Sequence, residues 1–234
     1  MSDISIDFNY PVTVIAGANA CGKSTLLFSC ACAYEPIGAN PRLFTPASLF
    51  PNLTLKEDYS IRDNEVQTAL SFHYSIEKKK TMMRWAKGKS WNKSYGGQKN
   101  MHQPSRQVYL RTLANLTSPS EVRSVLQISS ATQVQVQEIT SDLIAFAQRI
   151  LPLQYNKVKL VKKDAKELLF VTRTDGNGSS YSEFHMSAGE RAILRISKDI
   201  SSLKNALVLI DEIEAGLHPF TQQQLMLELQ RIST

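Results

Sequence analysis

The chain has 234 residues, a length that suits one large α/β domain or a core with one insertion. Hydrophobic residues make up 42%, ordinary for a globular protein, and charged residues a slightly low 21%, and no apolar run reaches the roughly 18 residues that a membrane span needs. The net charge is +6, and the basic excess is local.

Met1-Ser2-Asp3-Ile4 has neither the basic patch nor the apolar core of a signal peptide, so a cytoplasmic location is expected. Ile4-Ser5-Ile6-Asp7-Phe8 alternates apolar and polar and predicts a half-buried strand. Asn9-Tyr10-Pro11 predicts a turn, and Val12-Thr13-Val14-Ile15-Ala16 a buried strand.

The stretch Gly17-Ala18-Asn19-Ala20-Cys21-Gly22-Lys23-Ser24-Thr25 follows directly, and Ser24 to Phe28 predicts the first turn of a helix. Gly, four residues, Gly-Lys-Ser between a strand and a helix is the phosphate-binding loop pattern. Glycine lets the backbone curl so that successive N–H groups point inward, and the helix adds its N-terminal partial charge. Lys23 is expected to reach the β- and γ-phosphates of a nucleotide such as ATP, and Ser24 to ligate Mg²⁺. Cys21 lies in this electropositive loop, which makes it a candidate for oxidation. Cys30 and Cys32 are two apart on the helix, point in different directions, and are expected to be buried and inert.

Pro36, Gly38, Pro41, Pro46 and Pro51 predict mostly loop over residues 36 to 64. Val66 to Ile76 predicts a strand. Met82 to Ala86 and Ser90 to Tyr95 predict a hairpin turning at Lys87-Gly88-Lys89. Ten basic residues fall between Lys78 and Arg111 with no acid among them, and Trp85, Trp91 and Tyr95 are interleaved. That pattern fits DNA, through backbone charge and base stacking, but charge clustering by itself is weak evidence and a solvated hairpin with ordinary surface lysines is the commoner source of it. Gly96 to Pro104 is polar and is expected to be mobile. Gln107-Val108-Tyr109-Leu110 predicts a short buried strand.

Ser118-Pro119-Ser120-Glu121 combines an N-cap serine, a first-position proline and a capping-box Glu, and predicts a helix to about Gln127. Val136, Ile139, Leu143, Phe146 and Ile150 recur at three- and four-residue steps and predict a second helix from about Thr132 to Leu151. Val158 to Val161, Leu168 to Thr172 and Tyr181 to His185 predict strands, with a turn at Asp175-Gly176-Asn177-Gly178.

Ser187-Ala188-Gly189-Glu190 opens a long amphipathic helix as a capping box, with Ser187 capping and Glu190 reaching back. The same exposed N-terminus suits a γ-phosphate. Leu207-Val208-Leu209-Ile210 predicts a strand covered on both faces, ending in Asp211-Glu212. Ligands of such sheets gather at the carboxyl ends of strands. Asp211 is expected to hold Mg²⁺ and Glu212 to polarise the attacking water. Glu214 and His218 lie near these two acids, but the phosphate loop makes a separate transition-metal site unnecessary.

Phosphate loop, Ser-x-Gly-Glu and an apolar strand ending in Asp-Glu together resemble an ATPase of the ABC class. The segment Asp211-Glu212-Ile213-Glu214-Ala215-Gly216-Leu217-His218-Pro219 is similar to that of the AAA-like ATPases grouped with the OLD, RecF and SMC proteins. The resemblance implies a P-loop NTPase fold with an ABC-type ATPase head. An antiparallel β subdomain is expected at 60–110, a short helical lobe at 112–156, and the signature and Asp-Glu strand at 157–234. It implies Mg²⁺-dependent ATP hydrolysis driving a head-to-head homodimer, in which Ser187, Gly189 and Glu190 of one copy close on the nucleotide of the other. By that likeness Gly216, Leu217 and His218 contact the partner, and Gln107 is the candidate for a further Mg²⁺-side glutamine. Work on DNA or in phage defence, with an effector protein as partner and no membrane, is expected. A nucleotide-gated scaffold and a transporter subunit are the alternatives, and Gly-Leu-His-Pro argues against the transporter. Ala20 stands where relatives carry glycine, and Ile213 where they carry proline. The relatives' later strand and switch histidine have no counterpart before Thr234, which implies a trimmed domain or a partner that supplies them.

Overall fold

The structure, a computed structural model, describes residues 4–37, 41–50, 68–76, 79–88, 90–96, 98–99, 103–112, 128, 134–164, 166–174 and 178–233. The chain divides into two compact units. One, the loop unit, is Gly17–Leu110 with Lys204–Leu209. The other, the signature unit, is Met1–Ala16, Arg111–Leu203 and Ile210–Thr234.

Residues 4–16 correct the first two strand expectations. They form no ladder, and Tyr10 and Val14 are 79% and 70% exposed. A β-branched run supplies propensity, but a strand exists only where a neighbour completes its hydrogen bonds. Among the described residues nothing pairs with this segment.

In the loop unit, helix α1 (Lys23–Ala31) leads to β1 (Glu35–Pro36) and the one-turn helix α2 (Pro46–Leu49). Strands β2 (Ala69–Ile76), β3 (Lys79–Lys87), β4 (Trp91–Tyr95) and β5 (Gln98–Lys99) form an antiparallel sheet in sequence order. Strand β5 thus lies within the polar stretch expected to be mobile. Pairing of Phe72 with Met83 and of Trp85 with Lys93 sets the register. Period-two alternation then turns Tyr74, Met83 and Trp85 inward onto Cys32, with Tyr34, Leu70 and Phe72 around them. Trp85 donates its indole N–H to the Cys32 carbonyl at 3.3 Å, and the Tyr74 hydroxyl donates to the Ala33 carbonyl. Two short strands follow, β6 (Ser105–Arg106), parallel to β1, and β7 (Val108–Arg111).

In the signature unit, β8 (Gln135–Glu138), β9 (Tyr155–Lys163), β10 (Lys166–Arg173) and β11 (Ser180–Ser182) make a second antiparallel sheet, ordered β11-β10-β9-β8. Helix α3 (Ser141–Ile150) packs against α4 (Ala188–Ile200) and α5 (Pro219–Ser233). Leu143, Phe146, Ala147 and Ile150 form its buried stripe.

The helix expected from Thr132 begins only at Ser141, so 112–156 is not wholly helical. Gln133-Val134-Gln135-Val136-Gln137 alternates with period two, and residues 135–138 join the edge of the sheet instead, Val136 pairing with Val161. The helix expected at Ser118–Gln127 lies outside the described residues. Tyr181–His185 is a strand only to Ser182 and then a 3-10 turn.

Strand β12 (Leu207–Ile210) pairs with β7. Leu207 N–H donates to the Gln107 carbonyl and Asp211 N–H to the Arg111 carbonyl, both at 2.8 Å. The equal step along the two strands makes them parallel, so both carboxyl ends, Arg111 and Asp211, lie at one edge.

Candidate functional site

The phosphate loop is built on two backbone conformations that side chains resist. Gly22 caps α1 at φ 96° and Ala20 sits at φ 62°. Glycine accepts the left-handed region freely, whereas alanine is strained there by roughly 1–2 kcal/mol. Gly17 is required by space instead: a Cβ there would lie 2.8 Å from the Cys21 Sγ. Lys23 arches over the loop and donates its ammonium to the Gly17 and Ala18 carbonyls, each at 2.9 Å. Ala18 and Asn19 lie in the loop and Ser24 and Thr25 in the first turn of α1, which starts at Lys23 so that its free N–H groups face the loop. These residues fit a nucleotide polyphosphate by backbone donors, one cation and a hydroxyl.

Cys21 is exposed, while Cys30 is half-buried and Cys32 fully buried. Burial pushes both helix thiols up, Cys32 to about 12, so neither forms a thiolate at neutral pH.

At the other candidate centre, in the signature unit, Asp211 ends its strand and Glu212 follows at φ 52°. A non-glycine residue held in the left-handed region at a strand's carboxyl end is the kind of strain that clusters at functional sites. Arg111, Asp211, Glu212 and Leu217 line a small cavity with Ala192 and Ile196 of α4. Arg111 is 4% exposed, and its Nη2 has no hydrogen-bond partner.

The signature N-terminus is exposed at Ser187 and Ala188. Ser187 Oγ accepts from the Glu190 backbone N–H at 3.2 Å, which is half of the expected capping box. The reciprocal half is corrected: the Glu190 carboxylate is buried and accepts from Tyr155 at 2.9 Å and Tyr181 at 2.6 Å. Glu190 therefore ties α4 to β9 and β11. Farther along α4, Arg195 donates to both Glu183 oxygens at 2.6 and 2.7 Å and to Glu167 at 2.6 Å. Gly189 approaches the next loop so closely that a Cβ would lie 3.1 Å from the Gly216 carbonyl. Gly216 and Leu217 are thus engaged by their own chain's signature, while exposed His218 accepts from Phe220 N–H at 3.3 Å and caps α5.

Gln107 does not reach this end. It stands at the start of β7, and its side-chain oxygen accepts from Lys204 N–H at 2.8 Å. The carboxyl end of that strand belongs to Arg111, which sequence reading counted only as one of ten basic residues. A charge closing an apolar strand, as Asp211 closes its own, was the signal. Tyr155 and Tyr181 carried no sequence signal.

The basic segment loses its stacking aromatics to the core. Trp85 is 9% exposed, and Tyr95 packs beside Tyr74 at 6.4 Å between ring centroids. Lys93 lies over the Trp85 ring at 5.7 Å, and Arg106 donates to the Asn205 carbonyl at 2.7 Å. Lys79, Lys80 and Arg84 face solvent, whereas Lys78 and Lys89 lie outside the described residues.

Comparison with known proteins adds one finding: a family model described as AAA domain matches residues 2–231. No curated protein and no solved structure matches the chain. A match of that span makes the chain a member of the AAA-domain family of P-loop ATPases, a class that binds nucleotide and usually uses Mg²⁺. Among the described residues no helix is long and apolar enough to cross a membrane.

Proposed function

We propose that this AAA-domain chain binds ATP with Mg²⁺ and hydrolyses it, and that the bound triphosphate drives two copies together head to head. The observation that carries the reading is the loop itself: Lys23 held over the Gly17 and Ala18 carbonyls at the start of α1. In this reading the loop amides and Lys23 hold the phosphates, and Ser24 and Asp211 hold the Mg²⁺. Mg²⁺ neutralises phosphate charge, and Glu212 orients the attacking water.

The exposed Ser187-Ala188 N-terminus supports the dimer, because it offers unpaired backbone donors to a second copy's γ-phosphate. Glu190 contributes there by fixing α4 through the two tyrosines rather than by touching nucleotide. The γ-phosphate contacts of one copy's signature favour the closed pair, and hydrolysis removes them. An ABC-type head of the OLD, RecF and SMC group, acting in DNA transactions or phage defence with an effector protein, is the finer reading drawn from the signature and the Gly216-Leu217-His218-Pro219 segment. Any DNA contact rests on Lys79, Lys80 and Arg84 and is a contact to phosphate, not base stacking.

The test is solution mass with and without ATP and Mg²⁺, together with phosphate release. A nucleotide-dependent doubling of mass with measurable turnover is expected. A nucleotide-dependent doubling without turnover converts the reading to the gated scaffold, and a monomer under every condition overturns the dimer.

A further inference from the structure

Among the described residues of the signature unit, the buried carboxylates have their partners. Glu183 is bound by Arg195 and by Leu169 N–H, Glu190 by two tyrosines, and Glu228 by Arg149 and Arg231. Arg111 differs: it is 4% exposed, and its Nη2 has no hydrogen-bond partner among the described residues. A buried guanidinium nitrogen left unpaired forfeits hydration without compensation, and in a native protein such a group marks a bound water, an ion or a ligand.

The groups around Arg111 belong to the same unit and select among these three. Its carbonyl accepts from Asp211 N–H at 2.8 Å. Arg111, Asp211, Glu212 and Leu217 line a small cavity with Ala192 and Ile196 of α4, and it has room for about one water molecule. Two acids border it, so a free anion is repelled. The guanidinium in turn repels a metal cation. Water meets neither objection: it offers a lone pair to Nη2 and its hydrogens to the oxygens of Asp211 and Glu212. Glu212 also needs a hold. It sits at φ 52°, and a residue with a Cβ stays in the left-handed region only where its surroundings fix it there.

We propose that Arg111 Nη2 holds one buried water, which bridges to an oxygen of Asp211 or Glu212 and fixes the strained turn at Glu212. Arg111 is thereby a positioning residue for the two acids. It acts wholly within the signature unit, whether or not nucleotide is bound.

The experiment is a crystal structure of the full 234-residue chain, grown once with chloride and once with bromide, together with melting temperatures of wild type, Arg111→Met and Arg111→Lys. A single water peak is expected within hydrogen-bond distance of Arg111 Nη2 and of an Asp211 or Glu212 oxygen, with no anomalous bromide signal. Bromide in the cavity, or no density there, overturns the proposal. Arg111→Met is expected to melt about 2–4 °C lower, the size of one lost hydrogen-bonded bridge. Arg111→Lys keeps a donor and should fall between Met and wild type. A side chain that only packs gives the reverse order, because Met matches the apolar stem better than Lys does, and that order overturns the proposal. So does a Met variant that melts above wild type, which marks a dry, unpaired charge. In the Arg111→Met crystal, Glu212 is expected to leave the left-handed region; an unchanged φ there refutes the positioning role. Should Met fail to fold, the wild-type density and the Lys variant still decide.

Discussion

Tyr181 donates its hydroxyl to the Glu190 carboxylate across 2.6 Å, and this bond fastens the first turn of the signature helix to the last strand of the sheet beneath it. Tyr155 donates to the same oxygen from β9. Tyr181→Phe or Tyr155→Phe leaves a buried carboxylate short of one donor and is expected to cost about 1–3 kcal/mol. Urea denaturation checks it. Because the tyrosines hold α4 rather than nucleotide, ADP affinity should remain that of wild type, and a selective loss of ADP binding would count against this assignment.

The same pair sets an alkaline limit. Burial first, then the Glu190 hydrogen bond and charge, pushes Tyr181 from its ordinary 10.0 up to about 12, and burial and the Glu190 charge push Tyr155 up as well. A group whose folded pKa is raised stabilises fully below its unfolded pKa and loses that contribution as pH climbs toward the folded value. Stability is therefore expected to fall between about pH 10 and pH 12 for Tyr181. Melting curves of Tyr155→Phe/Tyr181→Phe against pH should be flatter there than those of wild type. An equally steep decline in the double variant disproves the link.

Ala20 occupies a left-handed conformation at φ 62° inside the phosphate loop. Ala20→Gly removes that strain at the cost of a freer unfolded chain, and a net gain of about 0.5–1 kcal/mol is expected. Thermal melting measures it, and a loss of stability would show that the alanine side chain makes a contact worth more than the strain.

Lys23→Ala removes the ammonium held over the Gly17 and Ala18 carbonyls and should abolish nucleotide binding. Glu212→Gln keeps shape but not basicity. It should bind ATP, hydrolyse it at least about a hundredfold more slowly and accumulate as the closed dimer. Normal turnover in Glu212→Gln, measured by phosphate release, would remove Glu212 from the catalytic role.

Lys80→Glu with Arg84→Glu reverses two charges on the solvent face of β3. If DNA is bound through this face, affinity should drop and the salt dependence should flatten by about two phosphate contacts. Binding that is insensitive to both salt and the double variant would exclude this surface.

Local chemistry was legible in the order of residues. The Gly-Lys-Ser spacing announced a phosphate loop because the conformations it needs are backbone properties of glycine, carried by the sequence wherever it folds. Four apolar residues before Asp211 announced a strand, although only Leu209 of the four is buried and the cover expected on both faces is not complete, and period three and four announced the stripe of α3 from Leu143 onward. What failed depended on partners. Val12–Ala16 had strand propensity but gained no neighbour among the described residues, and Val136 followed a period-two alternation into the sheet edge. Gln107 immediately precedes β7 and Arg111 ends it, and only the pairing with β12 decided which of them meets Asp211. The burial that leaves Arg111 Nη2 unpaired and the two tyrosines that claim Glu190 are products of packing between segments far apart in the chain. No local pattern encodes such contacts, because their energies exist only once distant surfaces have excluded water between them.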